Sequence, residues 1–379
     1  MAFNLNTESN AVLATDLTGD FGKIWYSAGD LDNEDRKDLS ASFLFQPSST
    51  NFRLAILESL RQVAADRRTV RTVNNRRDVN IFAVVPSYFI DLSPVSRIRV
   101  AYSYSRIDEE FDASSRDVKS VTAGYQYRVS NMSSWSLNAS QSNIEFIDTG
   151  QEFDQESAYF RWSYEGLLTN WNLDLGRQQI VDGENTDETL LTFSIDRDVN
   201  NFATVGLFYY QGYNDVINTS VSNRLTQLVA NEDAVFAEEI AKEQSSSVFY
   251  DYTRDRLGAR VSLETRELKS EEALSIGREV DEERHGIRFS SNYRFRDDGY
   301  NLSRFGVAVN YRYSREVFNL EDEEIRVNEG GIRLDYYANR SVRMFFGLSS
   351  RNAAGTGFRA ETDERSVIVG IRFAPRGGI

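Results

Sequence analysis

Apolar and polar residues alternate with a period of two along most of this chain. In "SAYFRWSYEGLLTNWNLDLGRQQ", residues 157–179, Ala158, Phe160, Trp162 and Tyr164 alternate with Tyr159, Arg161 and Ser163. After a short break, Trp171, Leu173 and Leu175 alternate with Asn172, Asp174 and Gly176. A period of two places one set on each face of a β-strand. In a soluble sandwich the greasy face packs on a second sheet. In a transmembrane barrel it faces lipid, and the polar face lines a lumen.

The same texture recurs. "RIRVAYSYSR" sets Ile98, Val100, Tyr102 and Tyr104 against Arg97, Arg99, Ala101 and Ser103. "SVFYDYT", "GIRFSSNYRF", "RFGVAVNYRY" and the closing "SVIVGIRF" repeat it, the last setting Val367, Val369, Ile371 and Phe373 against Gly370 and Arg372. The connections take turns. Tight ones fall at "PSST", "LSPVS", "NMSS", "LLTN", "VNN", "TRDR", "DDGYNLS" and "ANRS". Long polar ones fall at "ADRRTVRTVNNRR", "DEEFDASS", "IDTGQEFD", "VDGENTD", 214–244, "KSEEALSIGREVDEE", "NLEDEEI" and "NAAGTGFRAETDE". Short turns at one end and long loops at the other mark an outer-membrane barrel, whereas a sandwich mixes loop lengths at both ends.

The predicted fold is therefore all-β: a single transmembrane, antiparallel, up-and-down β-barrel of about 18 strands, an even number as bacterial barrels require. Residues 1–20 are expected to lead into the first strand from the periplasm, 21–375 to form the barrel, and 376–379 to be a tail. Two strands break the rule. "VNIFAVVPSYFID" (79–91) is apolar on both faces, and its Pro86 suggests a bulge or weak pairing. "NFRLAILESLRQV" puts Glu58 on the face of Leu54 and Ile56, so either a bulge shifts the register or Glu58 lies beyond the hydrocarbon. One stretch has helical spacing instead: over about 222–243, Leu225, Leu228, Val229, Val235, Phe236 and Ile240 recur with a helical period. A helix there would narrow the mouth, cap the rim or cover barrel edge residues.

Composition supports the barrel. Mean hydropathy is −0.48, and no stretch approaches the roughly 18 apolar residues of a membrane helix, a test blind to alternating strands. Phe 24 and Tyr 19 with only 4 Pro suit long unbroken strands, since proline donates nothing to a ladder. The absence of Cys removes disulfides, thiolate catalysis and zinc-thiolate sites. A net charge of −15 excludes nucleic acid as a partner. "MAFNLNTESN" lacks the basic start and apolar core of a signal peptide, so an envelope protein would have to be the mature chain.

From "IDLSPVSRIRVAYSYSRIDEEFDASSRDVKSVTAGYQYRVSNMSSWSLNASQS" onward the chain resembles the β-barrel porins linked to exopolysaccharide and exosortase (PEP-CTERM) gene clusters. The resemblance covers roughly residues 37–375 and rests on texture rather than on a diagnostic motif. It implies an outer-membrane protein associated with surface polysaccharide, with no catalytic residues to carry over. The final strand ends at Phe373 but is followed by "APRGGI", where many such barrels end on the aromatic residue itself.

Inward parity is crowded with charge: Arg97, Arg99, Arg161, Arg260, Arg288, Arg294, Arg312, Arg333, Arg343 and Arg372, opposed by Asp174, Asp251, Glu264 and Asp335. These residues would line a lumen for an anionic or sugar substrate, because planar guanidinium suits carboxylates and stacks on rings. Alternatively they form a salt-bridge ladder that fills and stiffens the interior. The acids are fewer than the arginines, so some positive charge should stay unpaired. Arg67, Arg68, Arg71, Arg76 and Arg77 make an extracellular basic rim fit for lipopolysaccharide phosphates or anionic polysaccharide. Asp30, Asp32, Glu34 and Asp35, like Glu321, Asp322, Glu323 and Glu324, read as solvated acidic loops; their spacing matches no closed calcium site.

The single histidine, His285, has outward parity with no serine of matching parity beside it, so catalysis is not expected. Neither a cofactor nor a metal is called for. The expected partners are outer-membrane lipid and lipopolysaccharide, with polysaccharide or periplasmic export components as further candidates. Two functions stay in competition: a passive outer-membrane channel for export of, or interaction with, exopolysaccharide, and a structural barrel with an occluded lumen whose loops bind a protein or glycan. An energised receptor of about 22 strands plus a plug does not fit this length.

Overall fold

A computed structural model describes residues 2–7, 13–26, 34–47, 50–64, 76–110, 115–181, 186–213, 241–270, 281–295, 304–320, 322–337, 342–356 and 362–373. The strands begin with β1 (Ala2–Thr7), β2 (Leu13–Tyr26), β3 (Glu34–Phe45), β4 (Phe52–Ala64), β5 (Arg76–Ser93) and β6 (Ser96–Glu109). Then come β7 (Arg116–Arg128), β8 (Ser133–Phe146), β9 (Glu152–Glu165), β10 (Thr169–Val181), β11 (Thr186–Asn200) and β12 (Ala203–Tyr213). The remainder are β13 (Ala241–Arg254), β14 (Leu257–Ser270), β15 (Asp281–Arg294), β16 (Phe305–Phe318), β17 (Glu323–Tyr337), β18 (Val342–Thr356) and β19 (Thr362–Phe373).

The 17 strands β3–β19 run antiparallel in one up-and-down sheet. β2 extends it antiparallel to β3. β19 in turn neighbours β2, which closes the ring, and β1 pairs antiparallel with β2 and, through Ala2 and Phe3, parallel with β19. Closure satisfies the two edges that a bilayer, with no water to offer, would leave unpaired. Among the described residues the sheet runs from Ala2 in β1 to Phe373 in β19. The tail 376–379 and residues 222–240 of the expected helix lie outside the described residues. Residues 241–243 of that helix open β13 instead.

Cross-strand partners share a face, and the register sorts them cleanly. Val100, Tyr102, Val121, Leu137, Trp162, Leu175, Leu207, Val248, Val261, Leu263, Ile287, Ile332, Leu334, Phe346 and Leu348 are all exposed large apolar residues. They fall on one parity around the ring, forming the apolar belt of a membrane barrel, an architecture of outer membranes. At the short-turn end the belt is edged with rings: Trp162 and Trp171 meet edge to face at 4.9 Å, and Tyr127 and Trp135 lie 5.7 Å apart. Such rings favour the headgroup boundary.

β5 takes its orientation from its neighbours. Val79, Ile81, Ala83, Val85 and Ser87 are buried inward, while Val84, Pro86, Tyr88 and Ile90 carry the outward parity. The ladder to β6 skips Val85 and Pro86 and resumes at Ser87–Ala101 in the same register; the irregularity sits at Asp91–Ser93. Proline's missing N–H costs pairs without a slip. Glu58 also keeps its register. It stands in a cross-strand row with Phe82, Arg106, Asp117 and Glu145, a charged collar above the belt. Of the two explanations for Glu58, this row supports the position beyond the hydrocarbon.

Connection lengths depart from the expectation: the tight connection at "DDGYNLS" falls in residues 295–304, whereas the long one at "IDTGQEFD" leaves only 147–151 between strands. "VDGENTD" and "NLEDEEI" likewise leave only residues 182–185 and 319–322 between strands. For the shortened connections the reason is strand length. A strand of 14 residues such as β6 spans about 46 Å along its axis, hence about 35 Å along a barrel at a tilt near 40°, more than the roughly 25 Å apolar band. The surplus is polar strand, which sequence alone reads as loop.

Candidate functional site

The inner wall gathers the predicted charged residues. Arg97, Arg99, Arg161, Arg260, Arg288, Arg294, Arg312 and Arg333 share the parity opposite the belt, as do Asp174, Asp251, Glu264 and Asp335. Arg343 and Arg372 are cross-strand partners in β18 and β19. Most of these charges meet. Arg161 donates twice to its cross-strand partner Asp174, Nε to Oδ1 at 2.7 Å and an Nη to Oδ2 at 2.8 Å. Arg97 pairs with Asp91 at 2.6 Å, Arg260 with Asp251 at 3.3 Å, Arg288 with Glu264 at 3.1 Å and Arg333 with Asp335 at 3.1 Å. Higher in the wall, buried Glu316 takes Arg284 at 3.5 Å, Arg312 at 3.7 Å and the Ser314 hydroxyl at 3.1 Å. The pairing-ladder arrangement is therefore present over β13–β17.

Aromatic rings hold several of these guanidiniums upright. Arg260 Cζ stands 4.4 Å from the Phe249 centroid, Arg294 4.6 Å from Tyr337, Arg97 5.3 Å from Phe89, Arg161 5.5 Å from Tyr159 and Arg333 5.8 Å from Phe345. At such distances the cation is attracted to the ring face. Phe249 lies across Gly206 of the neighbouring strand, where a Cβ would come within 2.2 Å of the ring, so glycine there lets a large ring lie down on the wall. At Gly176 the close neighbours are the Ala158 carbonyl and Tyr159 Cα and Cβ, so glycine there lets β9 and β10 approach closely.

Arg99 departs from the pattern. Its Nε is buried without a hydrogen-bond partner, and its electrostatic neighbours include Arg53 and Arg161. Arg53, on β4, is opposite Ser87, which is opposite Ala101, two residues from Arg99 on the same face. Sequence reasoning missed Arg53 because Glu58 disturbed that strand. Its parity, opposite Leu54 and Ile56, was the available signal.

The long-loop end of the wall over β5–β12 differs in kind. Val79, Ile81, Ile107, Val118, Ile144, Phe146, Phe153, Ile180 and Tyr213 form one buried apolar cluster. All of these but Tyr213, which ends β12, carry inward parity on β5–β10, so that part of the interior is packed. Alternation alone did not show it, because the motifs quoted lie lower on the strands.

Of the basic rim, Arg67, Arg68 and Arg71 lie outside the described residues, while Arg76 and Arg77 open β5, paired with Ala64 and Val63. Asp30, Asp32 and Glu321 also lie outside; Glu34 and Asp35 open β3. Glu324, beyond the apolar belt of β17, accepts from Arg315 at 2.7 Å and Arg326 at 2.8 Å. These two arginines hold its carboxyl down at about 2. His285 is exposed on the outer face with Thr265 and Arg315 as its cross-strand partners.

No protein-family model and no curated protein matches the chain. Among solved structures it is similar to a loop-deletion form of OmpT, an outer membrane protein of Vibrio cholerae: 10% identity over 96% of this chain and 100% of that one, TM-score 0.44. It is also similar to OpdK of Pseudomonas aeruginosa solved with vanillate (11% identity, 94% and 97%, TM-score 0.48). A third is the FrpB iron transporter of Neisseria meningitidis (8% identity, 95% and 76%, TM-score 0.48). Likeness at this level carries nothing about substrate. The closed sheet, its apolar belt and its charged inner wall define the chain as a porin-like outer-membrane β-barrel.

Proposed function

We propose that this barrel is a passive channel for export of, or interaction with, surface exopolysaccharide. The observation that supports it is the solvent exposure of the inward charges. Although the register points Arg161, Arg260 and Arg333 into the barrel, their side chains remain 41%, 52% and 39% exposed. A packed interior would bury them at a steep desolvation cost, whereas barrels of about 16 to 18 strands leave an aqueous channel. Planar guanidiniums and flat rings together suit a chain of hydroxyls, ring faces and carboxylates. Lipopolysaccharide contact by the basic segment 67–77 belongs to the same proposal.

The test is a planar-bilayer recording on the purified protein. Stepwise conductance that acidic oligosaccharides block is the expected result; a silent protein overturns the channel. One observation favours the competing structural barrel: the packed apolar cluster at the long-loop end of the wall. A silent barrel that still binds glycan would establish that alternative.

A further inference from the structure

Among the described residues, carboxylates pair with several arginines of the lower wall. Arg97 has Asp91, Arg161 has Asp174 and Arg260 has Asp251. No carboxylate among the described residues pairs with Arg53 or Arg99. The two stand on one inner face, separated on the wall by the small side chains of Ser87 and Ala101. Continuing along the ladder, Arg99 is opposite Gly124, which is opposite Asn138, which is opposite Tyr159. On its other side stands Phe89.

Two neighbouring guanidiniums repel, and the buried Nε of Arg99 has given up water without gaining a partner. An arrangement of this kind is stabilised by an anion that accepts from both forks. We propose that Arg53 and Arg99 form a lumenal oxyanion seat for the carboxylate of an acidic sugar, flanked by the Tyr159 and Phe89 rings. The geometry suits that ligand class: guanidinium forks donate to a planar carboxylate edge-on, and rings on the wall beside them offer faces for a sugar to lie against. Arg161, tied to Asp174 and stacked on Tyr159, positions that ring. The inference rests on the polysaccharide proposal for the source of the ligand. Free phosphate shares the chemistry and is the other source of an oxyanion.

The experiment is calorimetric titration of the detergent-solubilised, full-length barrel with trigalacturonate, inorganic phosphate and neutral maltotriose. Trigalacturonate should bind, and maltotriose should bind at least about tenfold more weakly. Arg53→Gln and Arg99→Gln should each weaken trigalacturonate at least about tenfold, while Arg99→Lys, which keeps the charge and loses the fork, should lie between. Arg106→Gln, on the outer collar, should leave binding unchanged. Heat-modifiable gel mobility verifies that each variant is folded. Phosphate binding as tightly as trigalacturonate, with the same arginine dependence, sustains the seat and assigns it to free phosphate. Equal binding of maltotriose, or equal loss in Arg106→Gln, overturns it. Binding requires no ion flow, so a barrel that conducts but does not bind refutes the seat alone, and one that binds but stays silent refutes the channel alone.

Discussion

Two glycines on the inner wall make opposite predictions for the same substitution. At Gly176 an added Cβ would lie 2.2 Å from the Ala158 carbonyl oxygen, 2.4 Å from Tyr159 Cβ and 2.6 Å from Tyr159 Cα. Two of those three atoms are backbone, so β9 and β10 themselves must move apart. At Gly206 the added Cβ would meet only the Phe249 ring, at 2.2 Å from Cζ and 2.3 Å from Cε1. That ring can swing away, loosening its stack with Arg260. Replacing glycine by alanine in a strand contributes about 0.5–1 kcal/mol of stability through the unfolded chain. Overpacking against backbone costs about 1–3 kcal/mol, and a partly wet cation–π contact is worth about 0.5–1 kcal/mol. Gly176→Ala should therefore destabilise the barrel by about 1–2 kcal/mol, whereas Gly206→Ala should be nearly neutral, within about 0.5 kcal/mol. Urea unfolding from phospholipid vesicles, followed by tryptophan emission, measures both. If Gly176→Ala matches or exceeds the wild type, β9 and β10 do not approach each other this closely at Gly176.

Three other outcomes follow from the faces and ends of the barrel. Ile332→Arg, in the middle of the outer belt, should cost about 2–4 kcal/mol in the same unfolding experiment; an unchanged midpoint would invert the assignment of faces. Cysteines placed at Ser133 and Asp148, on the β7–β8 turn and the β8–β9 connection, should react with impermeant maleimide from opposite sides of the membrane, and labelling from one side would refute the topology. The Arg315–Glu324–Arg326 cluster sets an acid dependence: the carboxyl of Glu324 is lower when folded than when unfolded, so its contribution is complete above about pH 4.5 and lost as pH falls towards 2. The thermal-midpoint gap between wild type and Glu324→Gln should be constant at neutral pH and vanish near pH 2, and a gap that widens on acidification would contradict this sign.

Alternation was legible from the chain because the two faces of a strand differ one residue at a time. Val261 and Ser262 need no knowledge of their partners to be assigned to lipid and lumen. Turn chemistry likewise placed the hairpins at "LSPVS", "NMSS" and "LLTN", and the inward parity of Arg161, Arg288 and Arg333 came with the strands that carry them. Three things required the tertiary structure. Strand ends were obscured because a polar strand above the membrane has the composition of a loop, as at Thr186 and Asp187, which open β11. The ring's closure, β19 against β2 with β1 beside both, depends on a contact between strands far apart in the chain, which no local pattern encodes. The pairing of charges was decided by register: the same inward parity gives Arg161 a carboxylate across the ladder at Asp174 and gives Arg99 a glycine, Gly124, because a carboxylate's position on the next strand, and not its presence on the same face, determines whether a guanidinium can reach it.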